Sequence, residues 1–136
     1  MTLMSSEKSV LIRDEYDIVS ACAVGKQIVA EISLGVSVQN QVFVVVSELA
    51  RNMILHAGSG VIIFRRIDGR ERIGVEIMAV DSGPGIQDIE TILQREWESG
   101  GESGAGLLVA RCLMDEFEVD LDAGRGVRVT VRKWRK

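Results

Sequence analysis

Cysteine is scarce, two residues in 136, and Cys22 and Cys112 stand far apart, with neither a metal-type pair nor the spacing of a disulfide ladder. Both occur in apolar, helix-like stretches, where a cysteine is expected to be a small core residue rather than a nucleophile. Histidine is scarcer still. The one residue, His56, leaves a poor ligand set for a transition metal. No stretch approaches the roughly 20 uninterrupted apolar residues that span a bilayer. Met1 to Ser9 is polar, without the apolar run and small-residue cleavage site of a signal peptide. A net charge of -4 provides no overall basic field, so general nucleic-acid binding is not favoured. These absences lead to the expectation of a cytoplasmic protein that engages neither membrane nor nucleic acid.

The hydrophobic fraction of 46% beside 26% charged residues is ordinary for a folded soluble chain. The length suits one domain, 1–136, around one core, and no internal repeat or linker interrupts it. One departure from the acidic balance is a C-terminal cluster of Arg125, Arg128, Arg132, Lys133, Arg135 and Lys136. It reads as a solvated strand end and tail, with a docking patch for an acidic partner as the sharper alternative.

Periodicity organises the chain. Ser9 to Arg13 has a short β-type pattern, and Asp14 can cap the helix that follows, in which Ile18, Ala21, Cys22, Gly25, Ile28, Val29 and Ile32 recur at helical spacing. Gly35 is read as its end. A second helix spans about Val38 to His56, with Val42, Val45, Val46, Leu49, Met53 and Ile54 as the buried stripe. After Gly58-Ser59-Gly60 the period becomes two. Val61–Ile67 and Ile73–Val80 are expected strands joined across Asp68-Gly69. A short helical piece, Ile86–Leu93, precedes a Gly/Ser/Glu-rich stretch, Glu96–Gly104. A helix from about Ala105 to Glu116 and a closing hairpin, Phe117–Leu121 with Val127–Trp134, complete the chain. This order predicts an α+β fold, a two-layer sandwich with the helices on one face of a mixed sheet. The crossover from the first strand through two helices is too long for a plain βαβ unit, which excludes a Rossmann pattern.

Three stretches carry chemistry. Glu48 and Asn52 are four residues apart and so share a helical face beside buried Leu49 and Met53. A carboxylate with a carboxamide can serve a proton transfer and a hard cation, since Mg²⁺ prefers oxygen ligands. Taken alone, the pair also reads as an ordinary polar helix face. Asp81 closes a predicted strand and is followed by Gly83 and Gly85. A strand-end carboxylate can accept a hydrogen bond from an exocyclic amine such as that of adenine, and glycines let backbone approach a flat ring or a phosphate. Pro84-Gly85 could equally be a simple strand-exit turn. Gly100 to Leu107 leads into a helix, where free backbone N–H groups and the helix dipole can hold a phosphate; glycine-rich loops without that role are also common.

The three stretches in this order resemble the GHKL superfamily of ATPases and kinases: its N box in Glu48–Asn52, its Asp-x-Gly-x-Gly box in Asp81–Gly85 and its Gly-x-Gly box in Gly104–Gly106. The resemblance covers essentially the whole chain. Ser47–Asn52, Ala79–Ile86 and Leu113–Phe117 are similar to the anti-sigma-factor-type serine kinases, in their RsbT-type switch-kinase branch. The resemblance implies the two-layer Bergerat fold of that superfamily, ATP and Mg²⁺ as cofactors, and phosphorylation of a serine or threonine on a small STAS-domain partner in bacterial stress signalling. A PP2C-type phosphatase activated by binding is the implied second partner; oligomeric state stays open. Carried over residue by residue, Asn52 holds Mg²⁺ and Glu48 acts as general base toward the incoming hydroxyl. Asp81 reads the adenine amine with Gly83 and Gly85 beside the base. The stretch Gln94–Ser103 forms a lid, and Gly104 and Gly106, with Ala105 and Leu107 completing the nucleotide contact, present N–H groups to the phosphates.

Two departures from the family pattern stand out. Glu102 and Ser103 occupy the start of what is elsewhere a longer alternating glycine run. Gly126-Val127 replaces Gly-Thr, which removes a hydroxyl from the adenine side, and Thr130 is not an obvious replacement. These departures keep two alternatives in view: an anti-sigma factor with kinase activity, and a nucleotide-binding partner-switching module with a decayed site. Arg51 and His56 receive no role at this level.

Overall fold

The structure, a computed structural model, describes residues 7–81, 105–120 and 127–135. The expected helix Ile86–Leu93, the lid stretch Gln94–Ser103, and Gly83, Gly85, Gly104 and Glu102 lie outside the described residues. Strand β1 (Glu7–Ile12) leads into helix α1 (Glu15–Glu31), helix α2 (Val36–Ala57), a hairpin of β2 (Gly60–Asp68) and β3 (Ile73–Asp81), helix α3 (Ala105–Leu113), and strands β4 (Glu116–Asp120) and β5 (Arg128–Trp134). The sheet order is β1-β2-β3-β5-β4.

Asp14 caps α1 as expected: its carboxylate accepts the N–H groups of Tyr16 at 3.0 Å and Asp17 at 3.2 Å, a contact typically worth about 1 kcal/mol. Gly35 takes a different part from the one read in the sequence. Helix α1 stops at Glu31 with Ile32 as C-cap, Ser33 turns through φ 56°, and Gly35 at φ 98° opens α2 as its N-cap. A left-handed glycine can leave one helix or enter the next, and here the tight turn places it on the entering side.

The sheet is antiparallel at every pairing among the described residues, which corrects the expected mixed sheet. Two helices, not one, separate β1 from β2. Each reverses the chain, so β2 starts beside the end of β1, with Ile12 opposite Gly60, and must run back along it. A single helix would have returned the chain to the other end and made the pair parallel.

Period-two alternation sends one side of each strand inward. Ile62 lies opposite Ala79, Phe64 opposite Ile77 and Ile77 opposite Val131, and all are buried against Val42, Val45, Val46 and Leu49 of α2. Gly25 of α1 allows this layer to close. A Cβ there would stand 2.9 Å from Val42 Cγ1 and 3.1 Å from Phe64 Cε2, tighter than packed side chains tolerate.

Helix α3 ends at Leu113, short of the expected Glu116, because the next residues are already tied to β5. Asp115 donates its N–H to the Arg132 carbonyl at 3.0 Å, and its carboxylate accepts the Trp134 N–H at 2.8 Å. Lys133 Nζ donates to the Leu113 carbonyl at 2.7 Å, satisfying one of the carbonyls a helix end leaves open. Cys22 is buried as expected, but Cys112 is exposed. It falls on the side of α3 opposite buried Leu107, Ala110 and Met114.

Among the described residues, the C-terminal basic side chains are held by partners rather than forming a free patch. Arg128 pairs with Asp120 and Arg132 with Glu76, Glu116 and Glu118, while Arg135 Nη1 donates to the Ile32 carbonyl at the end of α1; Arg125 and Lys136 lie outside the described residues. Among the described residues, no helix is long and apolar enough to cross a membrane.

Candidate functional site

Helix α2 presents its buried stripe to the sheet and its polar row to α3. Asn52, four residues beyond Glu48, turns toward the core beside Met53. Its Nδ2 is buried and has no hydrogen-bond partner among the described residues. A buried, unsatisfied amide costs on the order of 1–3 kcal/mol. Such an atom is uncommon enough in a folded protein to mark a group kept for a ligand.

Strand β3 delivers Asp81 to the same place. Its backbone N–H donates to the Val127 carbonyl at 3.1 Å, and its Oδ1 accepts the Val127 N–H at 3.2 Å. Among the described residues, no group donates to Oδ2. Among those residues the carboxylate is thus anchored by Oδ1 alone.

Helix α3 closes the site. Gly106 is buried against Glu48: a Cβ there would lie 2.5 Å from Glu48 Oε1 and 3.0 Å from Glu48 Cβ. Leu107, 2% exposed, forms a wall of a narrow cavity of about 30 Å³ at the base of a cleft whose open space is about 340 Å³. Met53, Val127 and Val129 supply further apolar wall, and Asn52 and Asp81 are the polar side chains that line it.

Sequence-predicted residues therefore converge, with one difference in placement. Asn52, Asp81 and Leu107 share the cavity. Glu48 is not part of that wall; it reaches the first turn of α3 through its contact with Gly106. Ala105 begins that helix. Gly83, Gly85 and Gly104 lie outside the described residues. Thr130 faces away, in a groove on the other side of the sheet with Glu76 and Arg132.

Two participants were not legible beforehand. Val127 stood out only for the hydroxyl it lacks, whereas its backbone positions Asp81 in both directions. Arg51 had no role, yet its Nη1 sits 3.2 Å from Glu48 Oε2. The i,i+3 spacing permits that pair, but such spacing on an exposed helix rarely identifies one in advance.

The chemistry available follows from these groups. An apolar slot with a carboxylate anchored by one oxygen suits a flat heteroaromatic ring bearing an amine. A helix start beside it suits an anion, and the carboxamide of Asn52 offers a hard oxygen to a cation once its unpaired Nδ2 is satisfied. The residues present thus fit a nucleotide with a divalent cation.

Residues 13–133 match the family described as histidine kinase-like ATPase domain. The chain is 37% identical over 131 residues to the serine/threonine-protein kinase RsbT of Bacillus subtilis, covering 96% of this chain and 98% of that protein. It is 34% identical to the anti-sigma F factor of Caldanaerobacter subterraneus, over 65% of each chain. To the anti-sigma F factor of Clostridium beijerinckii it is 32% identical, over 77% of each chain.

Proposed function

The chain belongs to the family of histidine kinase-like ATPase domains, and on that premise we infer that it is an ATP-dependent serine/threonine protein kinase whose acceptor is a STAS-domain partner in a partner-switching module. The observation that supports this most is the convergence of Asn52 and Asp81, from separate elements, on one apolar cavity closed by Leu107 at the start of α3.

ATP with Mg²⁺ supplies the phosphoryl group and neutralises charge on the phosphates. The protein's own tasks are positioning and proton transfer, which phosphoryl transfer mainly requires. Asp81 would accept the adenine amine at Oδ2 while Val127 holds Oδ1, and Gly83 and Gly85 are proposed as the residues that let the backbone approach the base. Met53, Leu107, Val127 and Val129 exclude water from the ring. Asn52 provides an oxygen for the cation. The first N–H groups of α3, that of Gly106 among them, would bind phosphate oxygens, since a helix start leaves such donors unpaired; the same role is proposed for Gly104. Glu48 takes the proton of the incoming serine or threonine hydroxyl.

The match to RsbT across 98% of that protein favours the switch-kinase reading over an anti-sigma factor, since the anti-sigma relatives named above align over 65–77% of their length. A PP2C-type phosphatase is the second partner in this reading. Incubation with γ-labelled Mg-ATP and a purified STAS-domain protein is expected to label that protein on serine or threonine. Glu48→Gln is expected to slow labelling by roughly 10²–10⁴-fold while nucleotide binding persists. ATP binding without any label on the partner would overturn the kinase assignment. Capture of a sigma factor would support the anti-sigma reading instead.

A further inference from the structure

One charged side chain at the site is unused by the roles above. Arg51 lies one helical turn beyond Glu48, with its Nη1 3.2 Å from Glu48 Oε2 and its side chain 62% exposed, against 28% for Glu48. The opposite carboxylate oxygen, Oε1, is pressed on Gly106 in the first turn of α3. Glu48 is therefore clamped between a guanidinium and the helix start that the proposed function gives to phosphate.

That placement creates an electrostatic conflict. A carboxylate at a helix N-terminus occupies the region where an anion is favoured, and it repels any phosphate brought there. Two like charges brought close together at a partly exposed site oppose each other strongly before screening. An exposed Arg–Glu pair on a helix, in contrast, contributes little to stability, so fold maintenance is a weak reason for Arg51. Its position addresses the conflict directly: a cation on the outer oxygen offsets the charge of Glu48 and holds the carboxylate in one orientation.

We propose that Arg51 is a positioning residue for the nucleotide's terminal phosphate, acting through Glu48: it cancels the repulsion between that carboxylate and ATP and fixes Glu48 for the incoming hydroxyl. This rests on the nucleotide reading of the site. It separates from a direct Arg51–phosphate contact by one consequence. If Arg51 works through Glu48, it matters only while Glu48 is charged, and more for ATP than for ADP, which lacks the terminal phosphate.

The test is a double-mutant cycle read by calorimetric titration with Mg-ATP and Mg-ADP, without protein substrate. Arg51→Met is expected to weaken ATP binding roughly three- to tenfold, the scale of a partly exposed charge pair, and to leave ADP binding within about twofold on the same scale. Arg51→Lys is expected to recover most of the loss. In a Glu48→Gln background, Arg51→Met is expected to have no further effect on ATP. Equal ATP affinity of wild type and Arg51→Met overturns the proposal, as does a loss that persists in the Glu48→Gln background, since that would place Arg51 on the phosphate itself. A wild-type protein that binds neither nucleotide overturns the nucleotide reading and this inference with it. ATP and ADP binding by the wild type, with Arg51→Met unchanged, removes the inference alone.

Discussion

Asp81 and Val127 grip each other twice across the seam between β3 and β5: each donates an N–H to the other, to the Val127 carbonyl at 3.1 Å and to Asp81 Oδ1 at 3.2 Å. The carboxylate is thereby fixed by a main-chain donor that no substitution at 127 other than proline removes. This explains how a valine can stand where relatives of the resembled family carry a threonine. The Asp81 carboxylate needs a backbone N–H there, and Val127 supplies it. Its side chain, 5% exposed, serves instead as apolar wall.

Asp81→Asn tests this division of labour. The asparagine carbonyl can keep the bond to the Val127 N–H, which turns its NH₂ toward the nucleotide, donor against donor. Fold stability is expected to be nearly unchanged, while ATP binding weakens by roughly 1.5–3 kcal/mol through loss of a charge-assisted hydrogen bond. Thermal melting and calorimetric titration separate the two effects. An Asn variant that binds ATP as tightly as wild type would remove Asp81 from adenine recognition.

Gly106→Ala addresses the other end of the site. Alanine is the better helix former by about 1 kcal/mol, but its Cβ would stand 2.5 Å from Glu48 Oε1. The carboxylate end of Glu48 can swing aside, but Glu48 Cβ, 3.0 Å from the added methyl, is fixed to α2, so the two helices must also part by a few tenths of an ångström, which the fold is expected to survive. The gain in helix propensity and the cost of parting the helices oppose each other, so the melting temperature should hold or fall slightly, whereas phosphotransfer should fall by at least roughly tenfold, as expected when a general base is displaced by about 1 Å. Retained activity in a stable variant would contradict the placement of Glu48.

The parts legible in the sequence were those encoded by short spacing. Asp14 as a cap, the Val42–Met53 stripe, the i,i+4 relation of Glu48 and Asn52, and a strand ending at Asp81 all follow from local periodicity. The parts that were not legible depend on partners distant in the chain. The antiparallel sense of β1 and β2 requires knowing that α1 and α2 fold back on each other. The end of α3 is imposed by Arg132 and Trp134 of β5. The pairing of Asp81 with Val127 spans 46 residues, and only strand register reveals it. Arg51 was overlooked for a different reason: on a solvent-facing helix turn, a charged residue has many equivalent uses.

The outer face of the sheet carries a charge lattice with Glu76 at its centre. Glu76 is 4% exposed and lies opposite Arg65 on β2 and Arg132 on β5, which approach its two oxygens at 2.6 Å and 2.8 Å. A buried carboxylate requires such partners. Arg132 also contacts Glu116 and Glu118 and is less exposed than Arg65, 23% against 53%. Arg132→Met is therefore expected to destabilise by about 1–3 kcal/mol and Arg65→Met by clearly less, because removing the better-buried partner leaves more uncompensated charge. Urea unfolding of both variants checks the order; equal losses would mean that the two arginines are interchangeable.

Glu116 makes the acid response of this lattice measurable. Its carboxyl is held below the ordinary value of 4.5, first by the Trp134 indole N–H and then by the Arg132 guanidinium, at 2.6 Å and 2.9 Å. In the unfolded chain both donors are lost and the group titrates at its ordinary value. Between the two values the unfolded state binds more protons than the native state, so stability rises with pH across that window. The stabilisation is fully present above about pH 4.5 and disappears as pH falls through the lower, folded value. Asp17 adds to the same limb, its carboxyl lowered chiefly by the Arg13 backbone N–H. Since the Glu116 side chain is 38% exposed, solvent screens part of the effect, and the difference between variants is the sensitive quantity. Thermal melts of wild type and Glu116→Gln from about pH 7 to about pH 3 should differ most at neutral pH and converge in acid. Trp134→Phe, which removes the indole donor, should move wild-type behaviour toward that of Glu116→Gln. Parallel curves over the whole range would show that the Glu116 contacts do not depend on its charge.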